Sequence, residues 1–291
     1  MPIICSSCHE FNHTLSNVQH YSAVFQNTNP DVSAEWAKKE GFKNNAPKIA
    51  YTQIKDKKLF DQSNGINDIS IHLGKRYAHY YVYIWGSRPS QSILSIKEAK
   101  DAYRLHRKNV NSAFVQLDKK GKAKFRLRQL QIYKDNKMIF PSHIHYKVVS
   151  KRNPSQFLSS LYTKIILNDI TLQQLKRWIR QKKAIVLNAL APHYFKEHKI
   201  PHTHNLYYET AKNIETTRIR RMIRELAKQH YTPIVKSDMK HNIKIYPIVV
   251  YCAKKECHAA LKLANELLRH GFINVYHYPG GINEYFNQKI Y

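Results

Sequence analysis

The stretch PIVVYCAKKECHAALKLANELLRHGFINVYHYPGGINEYF, Pro247 to Phe286, decides how the C-terminal part of the chain folds. Pro247 to Tyr251 is a short apolar run rich in β-branched residues, which reads as a buried strand ending at Cys252. After a five-residue loop a helical stripe begins: Ala260, Leu263, Ala264 and Leu267 share one face, and Gly271 closes it. A strand, a tight loop and a helix place backbone N–H groups and the positive end of a helix dipole beside the Cys252 sulfur, which favours its thiolate. Cys257, in the same loop, is placed to resolve a sulfenate or persulfide formed there. The same text also suits a Cys252 that ends a core strand as a small apolar residue.

Upstream, strand and helix keep alternating. Leu172, Leu175, Trp178 and Ile179 make a helical stripe, AIVLN (Ala184 to Asn188) a buried strand, and Ile219, Met222, Ile223 and Leu226 a second stripe. This order predicts a parallel sheet covered by helices. Asn-Pro and a Ser cluster between Lys151 and Ser159, followed by the new pattern at Asn168 to Thr171, put a boundary near residue 169. A fragment covering residues 169–291 is then expected to fold alone.

Before the boundary the pattern is all-β. AHYYVYIWG (Ala78 to Gly86) alternates Val82 and Ile84 with Tyr81, Tyr83 and Trp85. FVQLDKKGKAKFRLRQL (Phe114 to Leu130) is two β-prone runs around a turn at Asp118 to Gly121, and HIHYKVV (His143 to Val149) and YTKIIL (Tyr162 to Leu167) follow. On a strand His143 and His145 point to one face, so both imidazoles can reach one metal ion, and Tyr133 lies ten residues upstream of His143. Tyrosinate and imidazole together suit ferric iron, whose charge lowers the phenol pKa. An isolated His-x-His also suits an ordinary half-exposed strand face.

The whole chain has 291 residues with 43% hydrophobic and 12% aromatic, enough for two buried cores and too apolar for a disordered chain. Its apolar runs are too short to span a bilayer, and its first residues lack the basic start and apolar centre of a secretory signal. Four cysteines are too few for a disulfide scaffold, which predicts an intracellular, cytoplasmic setting. The formal charge of +28 falls in two blocks, residues 71–155 and 171–291, with residues 1–70 and 156–170 neutral. Such a field attracts polyanions, nucleic acid above all. Lys119 to Arg128 adds a basic stripe interleaved with Ala123, Phe125 and Leu127. A richness in Lys, Asn, Ile and Tyr is also what an A+T-rich coding sequence yields.

The C-terminal text resembles the rhodanese family of sulfurtransferases, whose catalytic cysteine sits in a strand-loop-helix turn and carries a persulfide. The resemblance covers Asp169 to Gln288. It includes AIVLNALAPHYFKEHKIPHTHNL (Ala184 to Leu206), similar to the family's first strand and its His-Ile-Pro-Gly stretch, and the closing GFINVYHYPGGINEYF. It implies Cys252 as the nucleophile. Asn188 stands where the family usually has Asp, Leu190 where it has Arg, Lys199 and His202 where it has His and Gly, and His258 where the loop ends in Arg.

The N-terminal pieces VYIWG, LDKKGKAKF, Tyr133, HIHYKV and LYTKIIL, from Ile69 to Leu167, occur in the order and spacing of the intradiol ring-cleavage dioxygenases. That resemblance implies a β-sandwich holding a mononuclear non-haem Fe(III) through two Tyr and two His. Tyr133, His143 and His145 match three of the ligands, and Tyr103 is the best-placed candidate for the fourth. It implies cleavage of a catechol-type aromatic diol by O2 with no organic cofactor. Phe140 occupies the place of the family's Arg.

The expected organisation is therefore multidomain: an extension over residues 1–68, an all-β sandwich over 69–168, and an α/β parallel-sheet domain over 169–291. In the extension, Cys5 and Cys8 with His9, His13 or His20 suggest a zinc knuckle, although the second pair of a ribbon is missing. A different class also fits: a noncatalytic basic structural or nucleic-acid-associated protein that uses the two folds as platforms. Such a fusion with this composition would suit a large DNA virus and a protein packaged in its virion.

Overall fold

The computed structural model of the protein describes residues 65–87, 96–102, 111–135, 138–150, 158–159, 162–229 and 243–287. Cys5, Cys8 and Tyr103 lie outside them.

The N-terminal block is built from antiparallel sheets, as its alternating sequence predicts. Strands β1 (Ile66–His72) and β5 (Lys122–Arg128) form an antiparallel ribbon, with Ile69 opposite Phe125 and Ile71 opposite Ala123. Strands β2 (Tyr81–Gly86), β4 (Ser112–Gln116), β8 (His143–Val149) and β9 (Tyr162–Ile165) form a four-stranded antiparallel sheet in the order β4-β2-β8-β9. Ile69, Ile71, Phe125 and Leu127 of the ribbon pack on Val82, Ile84, Ile144 and Val148 of that sheet. Strands β3 (Lys97–Glu98), β6 (Tyr133–Asp135) and β7 (Met138–Phe140) make a third, small sheet. Its β3–β6 pair is parallel, and helix α1 (Ala99–Ala102) follows β3, so the block departs from the purely β pattern expected of it. These elements are only a few residues long, too short for periodicity to reveal.

The C-terminal block is a five-stranded, all-parallel sheet in the order β10-β14-β13-β11-β12. Its strands are β10 (Asn168–Asp169), β11 (Ile185–Asn188), β12 (His204–Asn205), β13 (Ile248–Tyr251) and β14 (Val275–Tyr278). The central strands are buried on both faces, which is why they read as continuous apolar runs. One face, with Ile185, Leu187, Ile248 and Val250, meets α4 (Tyr208–Asn213), α5 (Thr216–Gln229) and α6 (Ala259–Arg269) through Ala211, Ile219, Ile223, Leu263 and Leu267. The other, with Val186, Val249 and Tyr251, meets α2 (Leu172–Arg180) through Leu175 and Trp178, and α7 (Gly281–Phe286) through Ile282. Helix α3 (Pro192–Glu197) follows β11. Helix α2 starts with a capping box: the Gln174 N–H donates to Thr171 Oγ1 at 3.2 Å and the Thr171 N–H to Gln174 Oε1 at 3.1 Å.

The sequence boundary near residue 169 falls inside β10, an edge strand of the parallel sheet. Ile132, Ile165 and Leu167 share one apolar cluster with Ile185, Leu187 and Val250, so the two blocks meet through a common core. Buried amides join them as well: Gln174 Nε2 donates to Gln129 Oε1 at 3.0 Å and Asn67 Nδ2 to Asn168 Oδ1 at 2.9 Å. No helix among the described residues is long and apolar enough to cross a membrane.

Candidate functional site

Two groups of chemistry-bearing side chains lie in the described residues, one in each block. In the C-terminal block, β13 delivers Cys252 to the edge of the core, where it is 2% exposed. The loop 253–257 returns to α6 through a turn closed by the Cys257 N–H donating to the Lys254 carbonyl at 3.0 Å. The opening turn of α7 covers this loop: the Ile282 and Asn283 N–H groups donate to the carbonyls of Cys252 and Ala253, each at 3.0 Å. Gly281 permits that approach with a left-handed φ of +63°.

The Cys252 thiol faces carbonyl oxygens, that of Cys257 at 3.0 Å and that of Lys254 at 3.6 Å, and donates to them. It also hydrogen-bonds Cys257. That bond, then burial, push the Cys252 pKa up. Cys257 is the more exposed of the two. The hydrogen bond from Cys252 and the backbone N–H groups of Ala259 and Ala253 bring its pKa down to about 6. The two thiols are therefore coupled, with Cys252 pushed up and Cys257 pulled down. Strand, loop and helix are as predicted, and around Cys252 Sγ the backbone N–H groups of Ala260 and Lys254 oppose the upward shift, while the carbonyl oxygens of Cys257 and Lys254 also face the sulfur. On α6, Lys262 Nζ lies 4.7 Å from the centre of the Tyr208 ring. Upstream, His202 keeps a left-handed φ of +60° where the rhodanese resemblance expects Gly. Asn188 is fully buried at the end of β11, and its Oδ1 accepts the Leu190 N–H at 2.8 Å.

In the N-terminal block, period-two alternation on β8 sends Ile144, Tyr146 and Val148 into the core beneath the β1–β5 ribbon. His143 and His145 take the opposite face, with Trp85 opposite His145 in register. Tyr133, from β6, completes a buried cluster: its Oη lies 3.0 Å from His143 Nε2, which is 3.0 Å from His145 Nε2. His143 Nδ1 donates to the Pro141 carbonyl at 2.7 Å, which fixes the tautomer and leaves Nε2 as the acceptor facing both neighbours. Desolvation holds the His143 pKa down at about 4. His145 is held well below its ordinary value by desolvation and by His143. Both rings are therefore neutral at pH 7, the form that ligates metals. Phe140 stacks on Tyr133 with ring centres 5.4 Å apart. Among the described residues no three His, Cys, Asp or Glu side chains gather; the third donor here is a phenol.

Sequence reasoning did not single out Trp85. It is buried at 6% exposure, its indole Nε1 has no partner among the described residues, and its ring centre is 5.8 Å from that of His145. The β-strand alternation that separated Trp85 from Val82 and Ile84 was the available signal.

Residues 171–288 match the family profile of the rhodanese-like domain. Comparison with curated proteins gave no match. Among solved structures, a single-domain sulfurtransferase of Saccharomyces cerevisiae is similar at 18% identity over 43% of this chain and 94% of that one, with a TM-score of 0.31. An uncharacterized protein from Saccharomyces cerevisiae is similar at 19% identity over 42% and 92%, with a TM-score of 0.30. A human single-domain sulfurtransferase is similar at 13% identity over 42% and 96%, with a TM-score of 0.28. The profile match and the all-parallel sheet with Cys252 at the end of its central strand together make residues 171–288 a rhodanese-like domain.

Proposed function

We propose that the rhodanese-like domain moves sulfane sulfur through Cys252 and Cys257. The observation that supports this is the placement of both sulfurs in the one loop between β13 and α6, with Cys257 the more exposed of the two and its pKa lowered there. The Cys257 thiolate attacks the outer sulfur of thiosulfate or of a persulfide donor. The donor S–S bond breaks, sulfite or a thiolate leaves with the electron pair, and Cys257 becomes a persulfide. An external thiolate acceptor that attacks the terminal sulfur takes it and restores the Cys257 thiolate. When the Cys252 thiolate attacks the inner sulfur instead, a Cys252–Cys257 disulfide forms, hydrosulfide leaves, and an external thiol must reduce the disulfide. The test is intact-mass analysis after incubation with thiosulfate. Wild type and Cys252→Ser should gain one sulfur atom, and Cys257→Ser should not. Retention of sulfur by Cys257→Ser, or failure of the wild type to take it, overturns the reading.

A second reading rests on the convergence of Tyr133, His143 and His145. Two donors about 2.1 Å from one metal at a right angle are about 3.0 Å apart, and both donor contacts in the cluster measure 3.0 Å. The donor set fits Fe(III), with Tyr103 as the expected fourth ligand, and supports an intradiol-type oxidation of a catechol-type diol. Ferric iron would supply the site that takes both diol oxygens and makes the ring reactive toward O2. The chain's own part is to hold two neutral imidazoles in place, His143 through the Pro141 carbonyl, and to pack Phe140 on Tyr133 so that water is kept out. Phe140 offers no charge to a developing oxyanion where the family has Arg, which weakens catalysis relative to that family. Protein produced with iron should contain it and show a visible tyrosinate-to-iron band that Tyr133→Phe weakens. An iron-free protein, or a band indifferent to that change, removes this reading.

A further inference from the structure

The two connections that cross between the β1–β5 ribbon and the four-stranded sheet are fastened together at one end of the N-terminal block. The Leu73 N–H donates to the Gly121 carbonyl at 2.9 Å, the His79 N–H to Leu117 at 3.1 Å, and the Leu117 N–H to Tyr80 at 2.8 Å. Gly121, at a φ of +74°, lies directly against the Gly74 carbonyl with no room for a Cβ. This juxtaposition brings Lys75 and Arg76 of one connection next to Lys119, Lys120 and Lys122 of the other, and all five are exposed.

A single acid, Asp118, lies within the turn and offsets only part of this charge. Asp118 Oδ1 accepts the backbone N–H groups of Lys120 at 2.7 Å and Lys122 at 2.9 Å, so one carboxylate holds the turn beside five cations. No ion pair within 4 Å engages Lys119, Lys120 or Lys122 among the described residues, and Asp118 reaches the Lys120 and Lys122 side chains only through longer-range charge. Lys124 continues the stripe along β5, where alternate side chains face solvent about 7 Å apart.

Aromatic rings interleave with these cations. Tyr77 and Tyr80 are half-buried and meet edge to face at 6.0 Å, and Arg76 lies over the Tyr77 ring at 4.8 Å. Tyr81 and Phe114, also half-buried, are stacked at 5.1 Å with planes 3° apart. Tyr77 and Tyr80 pack in part against the core and stay partly exposed; cations that track a backbone, beside partly exposed rings, are the combination single-stranded nucleic acid requires. A duplex hides its base faces and would use the cations alone.

We propose that this end of the β-block, formed by residues 73–81 and 117–124, binds single-stranded nucleic acid. It does so through Lys75, Lys119, Lys120 and Lys122 on phosphates and Tyr77 and Tyr80 on bases.

The test is fluorescence anisotropy of the full-length protein with a labelled oligothymidine, a duplex of equal length, and heparin. The triple change Lys119→Glu, Lys120→Glu, Lys122→Glu lies on an exposed turn and keeps Asp118 and Gly121. It should weaken oligothymidine binding about tenfold or more, and the slope of log affinity against log salt should flatten by about 0.7 for each phosphate no longer neutralised. Tyr77→Leu keeps apolar bulk and should weaken oligothymidine binding while leaving heparin binding unchanged. Arg218→Glu, Arg221→Glu, Arg224→Glu on the exposed face of α5 changes the net charge equally and should leave oligothymidine affinity near the wild-type value. Equal loss in the two triple variants, no loss in the first, or tighter binding of duplex or heparin than of oligothymidine overturns the proposal. Circular dichroism melts of each variant establish that a loss of binding is read on folded protein.

Discussion

The side-chain amide of Asn168 exchanges two hydrogen bonds with the backbone of Leu130: Oδ1 accepts the Leu130 N–H at 2.8 Å, and Nδ2 donates to the Leu130 carbonyl at 2.7 Å. Nδ2 also donates to Ser142 Oγ at 2.9 Å, and Ser142 Oγ donates to the same Leu130 carbonyl at 3.0 Å. Asn168 is the first residue of the parallel sheet, and Leu130 belongs to the N-terminal core. One amide therefore satisfies, out of contact with water, the backbone where the blocks meet.

Asn168→Ala should leave the Leu130 N–H buried without its acceptor, at a cost of about 1–3 kcal/mol for that group alone. Asn168→Asp should be worse, because a carboxylate oxygen would face the Leu130 carbonyl. With a common core at the seam, both blocks should lose stability together. Hydrogen exchange of β8 and β13 in each variant measures this; acceleration confined to one strand would mean that the blocks unfold independently.

A second expectation concerns the thiol pair. With Cys257 held near a pKa of about 6, against 9.0 for an ordinary thiol, its thiolate persists at neutral pH and is lost only as the pH falls through about 6. Iodoacetamide at pH 7 should label Cys257 faster than Cys252, with a rate that levels off above pH 7. Cys252→Ala removes the donor bond and should move the midpoint upward. A wild-type midpoint between 8 and 9 would show that the two thiols are not coupled.

Much of this was legible in the sequence. HIHYKVV is strand β8 from end to end, the Asp118 to Gly121 turn lies where expected, and Ile219, Ile223, Ala260, Leu263 and Leu267 are buried as their spacing requires. These features are local, set by side-chain alternation and turn chemistry. What escaped depends on partners distant in sequence. The new pattern at Asn168 to Thr171 marked a boundary, but a lone Asn has no periodicity to show that its side chain joins the two blocks, and the boundary falls within β10. Spacing placed Cys252 and Cys257 in one loop but not the hydrogen bond between them or the burial that set their pKa values apart. The grouping of Tyr133 with the two histidines was expected from the family resemblance, while the small β6–β7 sheet that carries Tyr133, with strands of three residues each, was not.

The histidine cluster gives the metal-free protein a defined pH response. In the unfolded chain both rings titrate near 6.5, whereas the folded His143 titrates near 4 and His145 well below its ordinary value. Between those limits the unfolded chain binds protons that the folded chain refuses. Stability is therefore complete above pH 6.5 and is lost as the pH falls toward 4, by about 3 kcal/mol for His143 alone. Urea unfolding across this range should show the decline, and a His143→Gln, His145→Gln variant should flatten it. An equal slope in that variant would assign the acid sensitivity elsewhere.

Gly281→Ala tests whether α7 holds the cysteine loop in its reactive shape. At a φ of +63° an added Cβ would come within 2.5 Å of the carbonyl oxygens of both Cys252 and Ala253, the same carbonyls that accept the Ile282 and Asn283 N–H groups. The left-handed backbone adds about 1–2 kcal/mol for a residue with a Cβ, and the clash can be relieved only if loop and helix part. Once they part, the Ala253 N–H that stabilises the Cys257 thiolate moves with the loop, so the Cys257 pKa should rise and iodoacetamide labelling at pH 7 should slow. Gly121→Ala is the control, since it also combines a positive φ with a backbone clash, but in the other block. It should lower stability without altering thiol reactivity in the folded protein. If Gly281→Ala is destabilised yet titrates Cys257 as the wild type does, the thiolate is held by α6 and Cys252 alone, and α7 has no part in activating the pair.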